Sequence, residues 1–182
     1  MRAIAPAEIF EGERVNLRLV TLADCTDEYV AWLADPEVAR YLETRHRPQP
    51  KEAIESFVRG MIASADSYLF AIVDRASNRH VGNIKIGPIQ PVHRFADVSY
   101  FIGVSDVWGR GLASDAIRVA SRIAFDRLDL HRVQAGFYDG HIASQRALEK
   151  AGFTYEARMR KQLRLGDEWV DHVWYARLRD DT

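Results

Sequence analysis

Cysteine is nearly absent from this chain: Cys25 is the only one in 182 residues. A single thiol closes no internal disulfide, so nothing points to an oxidising compartment. Cys25 itself is expected to be a buried or half-buried helix residue. No run of about eighteen apolar residues occurs, which leaves no candidate membrane helix. Met1 to Phe10 lacks the apolar centre of a secretion signal. Six histidines are present, none paired at the spacing of a zinc site, so no metal is expected. The P-loop signature is missing too, which argues against an NTPase. A formal net charge of −1 supplies no field that would recruit nucleic acid or a membrane surface. These absences make the cytoplasm the expected location.

What is present is the composition of a folded protein, 47% apolar and 28% charged. The length suits one domain over residues 1–182, with a substantial core. Arg14 to Val20 alternates as a strand, and Thr21 to Asp24 reads as a helix entry leading to Tyr29, Val30, Trp32 and Leu33. Asp35-Pro36 opens a short helix through Val38 and Tyr41. Glu43 to Pro50 reads as a loop, and Lys51 to Ala63 as a helix with Ile54, Phe57, Val58, Met61 and Ile62 inward. Three strands are expected at Tyr68–Val73, His80–Ile86 and Phe95–Val104, the second broken by Gly87-Pro88. Gly166-Asp167 predicts a hairpin between Arg158–Leu165 and Glu168–Arg177. No repeat, linker or low-complexity tract interrupts this order. The expected fold is α/β, a mixed and mostly antiparallel twisted sheet of about seven strands with helices on both faces.

The most informative stretch is Trp108-Gly109-Arg110-Gly111-Leu112-Ala113-Ser114. It lies between the strand ending near Val104 and a helix from about Leu112 to Arg127. Leu112, Ala116, Val119, Ala120, Ile123 and Ala124 recur there at helical spacing. Glycines let backbone N–H groups approach a ligand at the positive end of a helix, which suits a phosphate or pyrophosphate. A plain tight turn would leave the same trace.

A second constellation follows. Arg132 to Tyr138 reads as a strand, Asp139-Gly140 turns the chain, and His141 to Phe153 reads as a short helix with Gly152 at its C-terminal cap. Together the two segments resemble the GNAT superfamily of N-acetyltransferases, within it the RimJ/RimL branch, from about Arg14 to Arg177. The family's Gln/Arg-x-x-Gly-x-Gly/Ala loop falls with its last positions on Gly111-Leu112-Ala113. Its Asn-x-x-Ser and Glu-Lys-x-Gly-Phe fall on His141-Ile142-Ala143-Ser144 and Glu149-Lys150-Ala151-Gly152-Phe153. Trp108 stands where many members have Gln or Arg, and His141 where Asn is usual.

The resemblance implies an enzyme that transfers acetyl directly from acetyl-CoA to an amine, without an acyl-enzyme. The pyrophosphate would lie on the N–H groups of Gly109, Arg110, Gly111, Leu112, Ala113 and Ser114. By the resemblance the strand Tyr100 to Val104 would splay from its neighbour and hold the pantetheine through Ile102, Gly103 and Val104, with a backbone N–H near Ile102 polarising the thioester carbonyl. His141 and Ser144 would also meet the cofactor. Ser144 matches a serine proposed as general acid for the departing thiolate, with Tyr138 as the fallback; a helix cap is the other role open to Ser144. Attack requires a neutral amine, so a base or water chain is needed. Asp97, His93 and Asp139 are the candidates, since Leu163 stands where this branch can carry a glutamate.

Acceptor recognition is the least legible part. Glu43 to Arg47, Asn83, Lys85, His93 and the basic run Arg158, Arg160, Lys161 and Arg164 could line an acceptor cleft. Active cations there would favour an anionic acceptor such as a nucleotide-linked amino sugar. Gly82 to Pro88 with His93-Arg94 is weakly similar to acetyltransferases of surface-sugar synthesis. The leading expectation is a small-molecule primary amine, with a protein N-terminus as the alternative. A small acceptor predicts that Glu43 to Pro50 closes over a compact pocket; a peptide predicts an open groove. A non-catalytic acyl-CoA sensor would keep the loop and lose the proton-handling groups. A dinucleotide-binding oxidoreductase fits poorly, because Ser114 occupies the third glycine position. A monomer or homodimer is expected, with Trp169 and Trp174 as aromatics that could pack across a dimer.

Overall fold

The computed structural model describes residues 4–181. Met1 to Ala3, the start of the segment weighed as a leader, and Thr182 lie outside the described residues. The architecture is one eight-stranded sheet in the order β1-β2-β3-β4-β5-β6-β8-β7. Its strands are β1 (Ile9–Glu11), β2 (Val15–Leu19), β3 (Tyr68–Asp74), β4 (Arg79–Gln90), β5 (Phe95–Ile102), β6 (Arg132–Tyr138), β7 (Thr154–Leu165) and β8 (Glu168–Leu178). The helices are α1 (Asp27–Ala34), α2 (Pro36–Ala39), α3 (Lys51–Ala63), α4 (Leu112–Asp126) and α5 (Ile142–Lys150).

The eighth strand is β1, only three residues long, with Ile9 exposed; so short an edge leaves no periodicity to read. Pro88 does not end β4 as expected. Pairing with β5 is irregular between Ile86 and Ile89, and a residue without an N–H is accommodated where the ladder is already interrupted. Cys25 is buried as expected, but in the turn between the 3₁₀ segment Leu22–Asp24 and α1 rather than inside a helix.

β3 is buried along nearly its whole length, because helices cover both sheet faces. On one face α4 presents Leu112, Ala116, Val119, Ala120 and Ile123 to the core. Asp115, 2% exposed, accepts the N–H groups of Arg14 (2.7 Å) and Val15 (3.0 Å), tying the first turn of α4 to β2. On the other face α1 buries Tyr29, Trp32 and Leu33, and α3 buries Ile54 and Val58, whereas Phe57 and Ile62, expected inward, are exposed. Helix α5 ends in a Schellman cap: Phe153 N–H donates to Leu148 C=O and Gly152 N–H to Glu149 C=O, both at 3.0 Å.

β5 and β6 run parallel and pair only over Phe95–Asp97 with Arg132–Gln134. Beyond that point β5 continues along β4 to Ile102, while β6 continues along β8 to Tyr138. The two central strands therefore splay. Along β5, Gly103 N–H donates to Val81 C=O at 2.8 Å. Strand alternation then turns the backbone groups of Ile102 and Tyr100 into the gap that β6 has left.

One ion pair makes a distinct contribution to the acid response of the fold. Arg18 donates to both carboxylate oxygens of Asp24 at 2.8 and 2.6 Å, and Thr21 N–H adds a bond at 2.8 Å. Burial alone would raise the Asp24 pKa; these donors outweigh it and hold the group at about 2, below its ordinary 3.8. Because the folded value is depressed, the stabilisation is complete above about pH 4 and disappears as pH falls through about 2. It should amount to about 2 kcal/mol. Urea unfolding from pH 5 to pH 2 should show Asp24→Asn losing less stability over that window than wild type; parallel curves would refute the assignment.

Candidate active site

The splay opens into a cleft of about 630 Å³, walled by Tyr41, Ile102, Trp108, Gly111, His141 and Ser144 among others. The glycine loop forms its floor. Gly109 and Gly111 have φ of +75° and +81°, a region where residues bearing a Cβ are strained. Gly111 caps α4 in this left-handed conformation and provides no side-chain cap. The Ser114 hydroxyl donates to Gly111 C=O at 3.0 Å, so it does not cap the helix start either. The first N–H groups of α4 thus keep their donor capacity and the positive end of the helix dipole. Arg40, Arg146 and Lys150 also line the cleft, against one acidic residue, Glu37. A polyanion fits this lining.

Trp108, at the departure from the family pattern, donates its indole N–H to Ile102 C=O at 3.0 Å, tying the loop to the end of β5. Arg110 turns back to Asp106 C=O (2.8 Å). Leu112 and Ala113 line the cleft, whereas Gly103 packs against Trp32 and Val104 is buried behind the strand end.

Ser144 lies in the first turn of α5, 8% exposed, with its Oγ 2.8 Å from the Tyr100 hydroxyl. Burial pushes the Tyr100 pKa up to about 12, so that hydroxyl stays protonated and can hold or relay a proton through Ser144. His141 is the N-cap residue of α5 without a side-chain cap bond. It stacks on Tyr41 with centroids 4.1 Å apart and planes 13° apart. Burial, then the Arg40 charge, lowers its pKa to about 4, so it is neutral near pH 7.

Tyr138 is held elsewhere. Its hydroxyl donates to Glu43 and accepts from Arg45 Nη2 at 2.8 Å, and the Arg45 guanidinium lies 4.8 Å over its ring. Arg45 also donates to Leu42 C=O (2.8 Å) and to Arg164 C=O in the final hairpin (2.7 Å). Burial, then the Glu43 carboxylate, raises the Tyr138 pKa. The segment read as a loop contains a 3₁₀ turn, Glu43–His46, clamped across the end of the splayed strands.

Asp97 is the last residue of β5 paired with β6, and Gln134 Nε2 donates to it at 2.8 Å. Tyr100 follows it at an interval of three, so the two side chains leave opposite sheet faces. Ser144 and Tyr100 belong to the face of α5; Asp97 shares the other face with Gln134, Gly136 and Tyr138. Half-buried Lys85 lies on β4 opposite Ser99, also on that face. Asn83 is not a cleft residue: it is 2% exposed, with its Oδ1 2.9 Å from His80 Nε2. His93 lies in the exposed β4–β5 turn, at the opposite end of β5 from Ile102, and is not brought to the site. Asp139 is engaged by Arg158, with both N···O distances 3.1 Å. Tyr100 escaped the sequence reading as a proton-handling residue, and the ties of Glu43 and Arg45, read only as part of an acceptor loop, were not visible in it, because each acts through a partner more than forty residues distant in the chain.

A sheet that splays at a glycine-capped helix start defines an acyl-CoA-binding transferase fold. Residues 14–154 match the family model described as an acetyltransferase (GNAT) domain, and the chain belongs to that family as an N-acetyltransferase. It is 32% identical over 117 residues to YjcK of Bacillus subtilis (strain 168), named a probable N-acetyltransferase; the match covers 64% of each chain. Two solved structures share the fold. A RimL ribosomal L7/L12 α-N-protein acetyltransferase in complex with coenzyme A has a TM-score of 0.85 at 19% identity, covering 96% of this chain and 100% of that one. A spermidine N-acetyltransferase from Vibrio cholerae, in complex with CoA and spermine, has a TM-score of 0.82 at 18% identity, covering 92% and 97%. No described helix is long and apolar enough to cross a membrane.

The Arg45 clamp is testable. Arg45→Ala removes donors from the Tyr138 hydroxyl and two carbonyls and should cost about 1–3 kcal/mol. Hydrogen exchange should accelerate at residues 43–47 while α4 stays protected; an unchanged rate there would show that the turn is held by other contacts.

Proposed function

We propose that this chain transfers acetyl from acetyl-CoA to the primary amine of a small molecule. The observation that carries the acceptor class is the clamped Glu43–His46 turn. It crosses from α2 to Tyr138 and to the final hairpin, a short tied crossing that favours a compact acceptor over an extended peptide.

The donor cleft fits coenzyme A by its chemistry. The N–H groups from Gly109 to Ser114 would hold the pyrophosphate, and Arg40, Arg146 and Lys150 add positive charge. The gap-facing backbone of Ile102 is the candidate pantetheine contact, with Gly103 and Val104 shaping the strand end. Acetyl-CoA supplies a thioester carbonyl open to attack by a neutral amine. Ser144, backed by the protonated Tyr100 hydroxyl, would give a proton to the departing sulfur. Tyr138 is better cast as a latch for Glu43, because its proton is already engaged.

Charge on the acceptor side favours a cationic amine. Glu43 and Asp97 line that face; of its cations, Arg45 is engaged by Tyr138 and two carbonyls and Arg158 by Asp139 and Asp171, which leaves Lys85. An amino sugar or a compact polyamine suits this balance better than a nucleotide-linked amino sugar.

Calorimetric titration should give micromolar acetyl-CoA binding, no comparable NAD binding, and loss of binding in Gly111→Asp. Absence of acetyl-CoA binding by the folded wild type would refute the donor assignment. An acceptor screen read by thiol release should then favour small primary amines. Preference for peptide N-termini would overturn the acceptor class, and no turnover with any amine would mark an acyl-CoA sensor. Ser144→Ala should lower kcat roughly a hundredfold with little change in acetyl-CoA affinity.

A further inference from the structure

Resting on the reading above, we propose that His172 is the base that takes the proton from the acceptor ammonium, with Gln162 fixing its tautomer. On β8, His172 pairs with Tyr138 and Trp174 pairs with Gly136, so both side chains emerge on the face of Asp97. Gly136 lies just past the point where β6 leaves β5. A Cβ on Gly136 would lie 2.2 Å from His172 Nε2. The missing side chain at Gly136 therefore makes room for the imidazole to lie over β6 at the mouth of the splay. Its ring sits 4.7 Å from that of Trp174, whose face offers a cation a second attraction.

The other ring nitrogen is held by an irregularity in the neighbouring strand. Between the pairs Met159↔His172 and Leu163↔Val170, β7 carries extra residues. Lys161 has φ of +50° there, and its N–H donates to Asp171 Oδ1 at 2.9 Å. A non-glycine residue with positive φ inside a strand is strained, and such distortions re-aim side chains. Here the bulge delivers Gln162 Oε1 to 2.9 Å from His172 Nδ1. A carbonyl oxygen accepts only, so Nδ1 carries the hydrogen and Nε2 keeps its lone pair in the space that the missing Gly136 side chain leaves.

The titratable groups facing the imidazole are Glu43 on the 3₁₀ turn, Asp97 on β5 and the latched Tyr138 hydroxyl on β6. Burial lowers the His172 pKa, opposed by the Glu43 and Asp97 carboxylates. The ring is therefore neutral near pH 7, and the imidazolium formed on proton capture has two anions nearby. In the step itself one ammonium N–H bond breaks and its electron pair remains on nitrogen as the nucleophile. The proton bonds to Nε2 and later leaves to solvent. Ammonium and acetyl thioester become amide, thiol and one released proton, so the turnover balances.

The test combines a spectroscopic readout with kinetics. Long-range ¹H–¹⁵N NMR of the unliganded protein should show His172 protonated at Nδ1 and free at Nε2, a preference lost in Gln162→Leu. An Nε2–H tautomer in wild type would overturn the proposal. With the small amine found by screening, His172→Gln should lower kcat at least a hundredfold and remove the acid limb of the kcat/KM profile. Its acetyl-CoA affinity should stay within about twofold of wild type, which also reports folding. Asp97→Asn should move that limb to lower pH, because a charge that raises the His172 pKa has gone. Retention of wild-type kcat and acid limb by His172→Gln would refute the base assignment and leave the acetyltransferase reading standing. A wild type that acetylates no amine would overturn that reading and this assignment together.

Discussion

The parting of β5 and β6 after Asp97 and Gln134 is the constraint on which the rest of the molecule depends. A sheet normally satisfies its backbone groups by pairing, and buried groups left unpaired are costly. Here the cost falls on a few residues at the centre, and each half of the sheet compensates by continuing to pair outward, β5 with β4 and β6 with β8. The opening is framed by α4 and α5 on one face and by the Glu43–His46 turn on the other. The loop that starts α4 is anchored at both ends, by Trp108 on Ile102 and by Asp115 on β2. A preorganised cleft follows from these ties without help from flexible segments.

The polar groups around the opening divide by environment. Tyr100 and Ser144 form a hydroxyl pair in which the phenol stays protonated, so a proton can pass along the bond between them. His172 and Asp97 lie where carboxylates gather and a neutral imidazole survives, which suits proton acceptance. His141 and Tyr41 close the space between α2 and α5 by stacking. A hydroxyl that keeps its proton and an imidazole that lacks one thus lie on opposite faces of the sheet.

Local chemistry was legible in the sequence and pairing was not. The glycine loop, the apolar stripe of α4 and the Gly152 terminus of α5 rest on neighbours within a few residues, so periodicity and cap residues reveal them. The splay leaves no local trace, because Val98 to Ile102 has the same strand pattern whether or not β6 lies alongside. His172 and Gly136 read as unremarkable strand residues until register places one over the other. Asn83 reads as a residue of the acceptor cleft, yet it is buried beside His80, an interior contact that only the folded chain reveals. Pro88 reads as a strand end because its missing N–H is visible and the bulge that tolerates it is not. The basic run of β7 reads as an anion site, whereas much of it protects a sheet edge, with Arg158 and Arg164 engaged by nearby carboxylates.

The spacing of Asp97 and Tyr100 has a consequence for how this chain tolerates change. Side chains alternate along a strand, and the odd interval between these two puts them on opposite sides of the sheet. Substitutions at Val98 or Ser99 preserve that parity whatever their size. Insertion or deletion of one residue between them reverses it, bringing both groups to the same side and leaving the other without its partner. The segment is thus intolerant of changes in length, a constraint of counting added to the packing that already holds buried Val98.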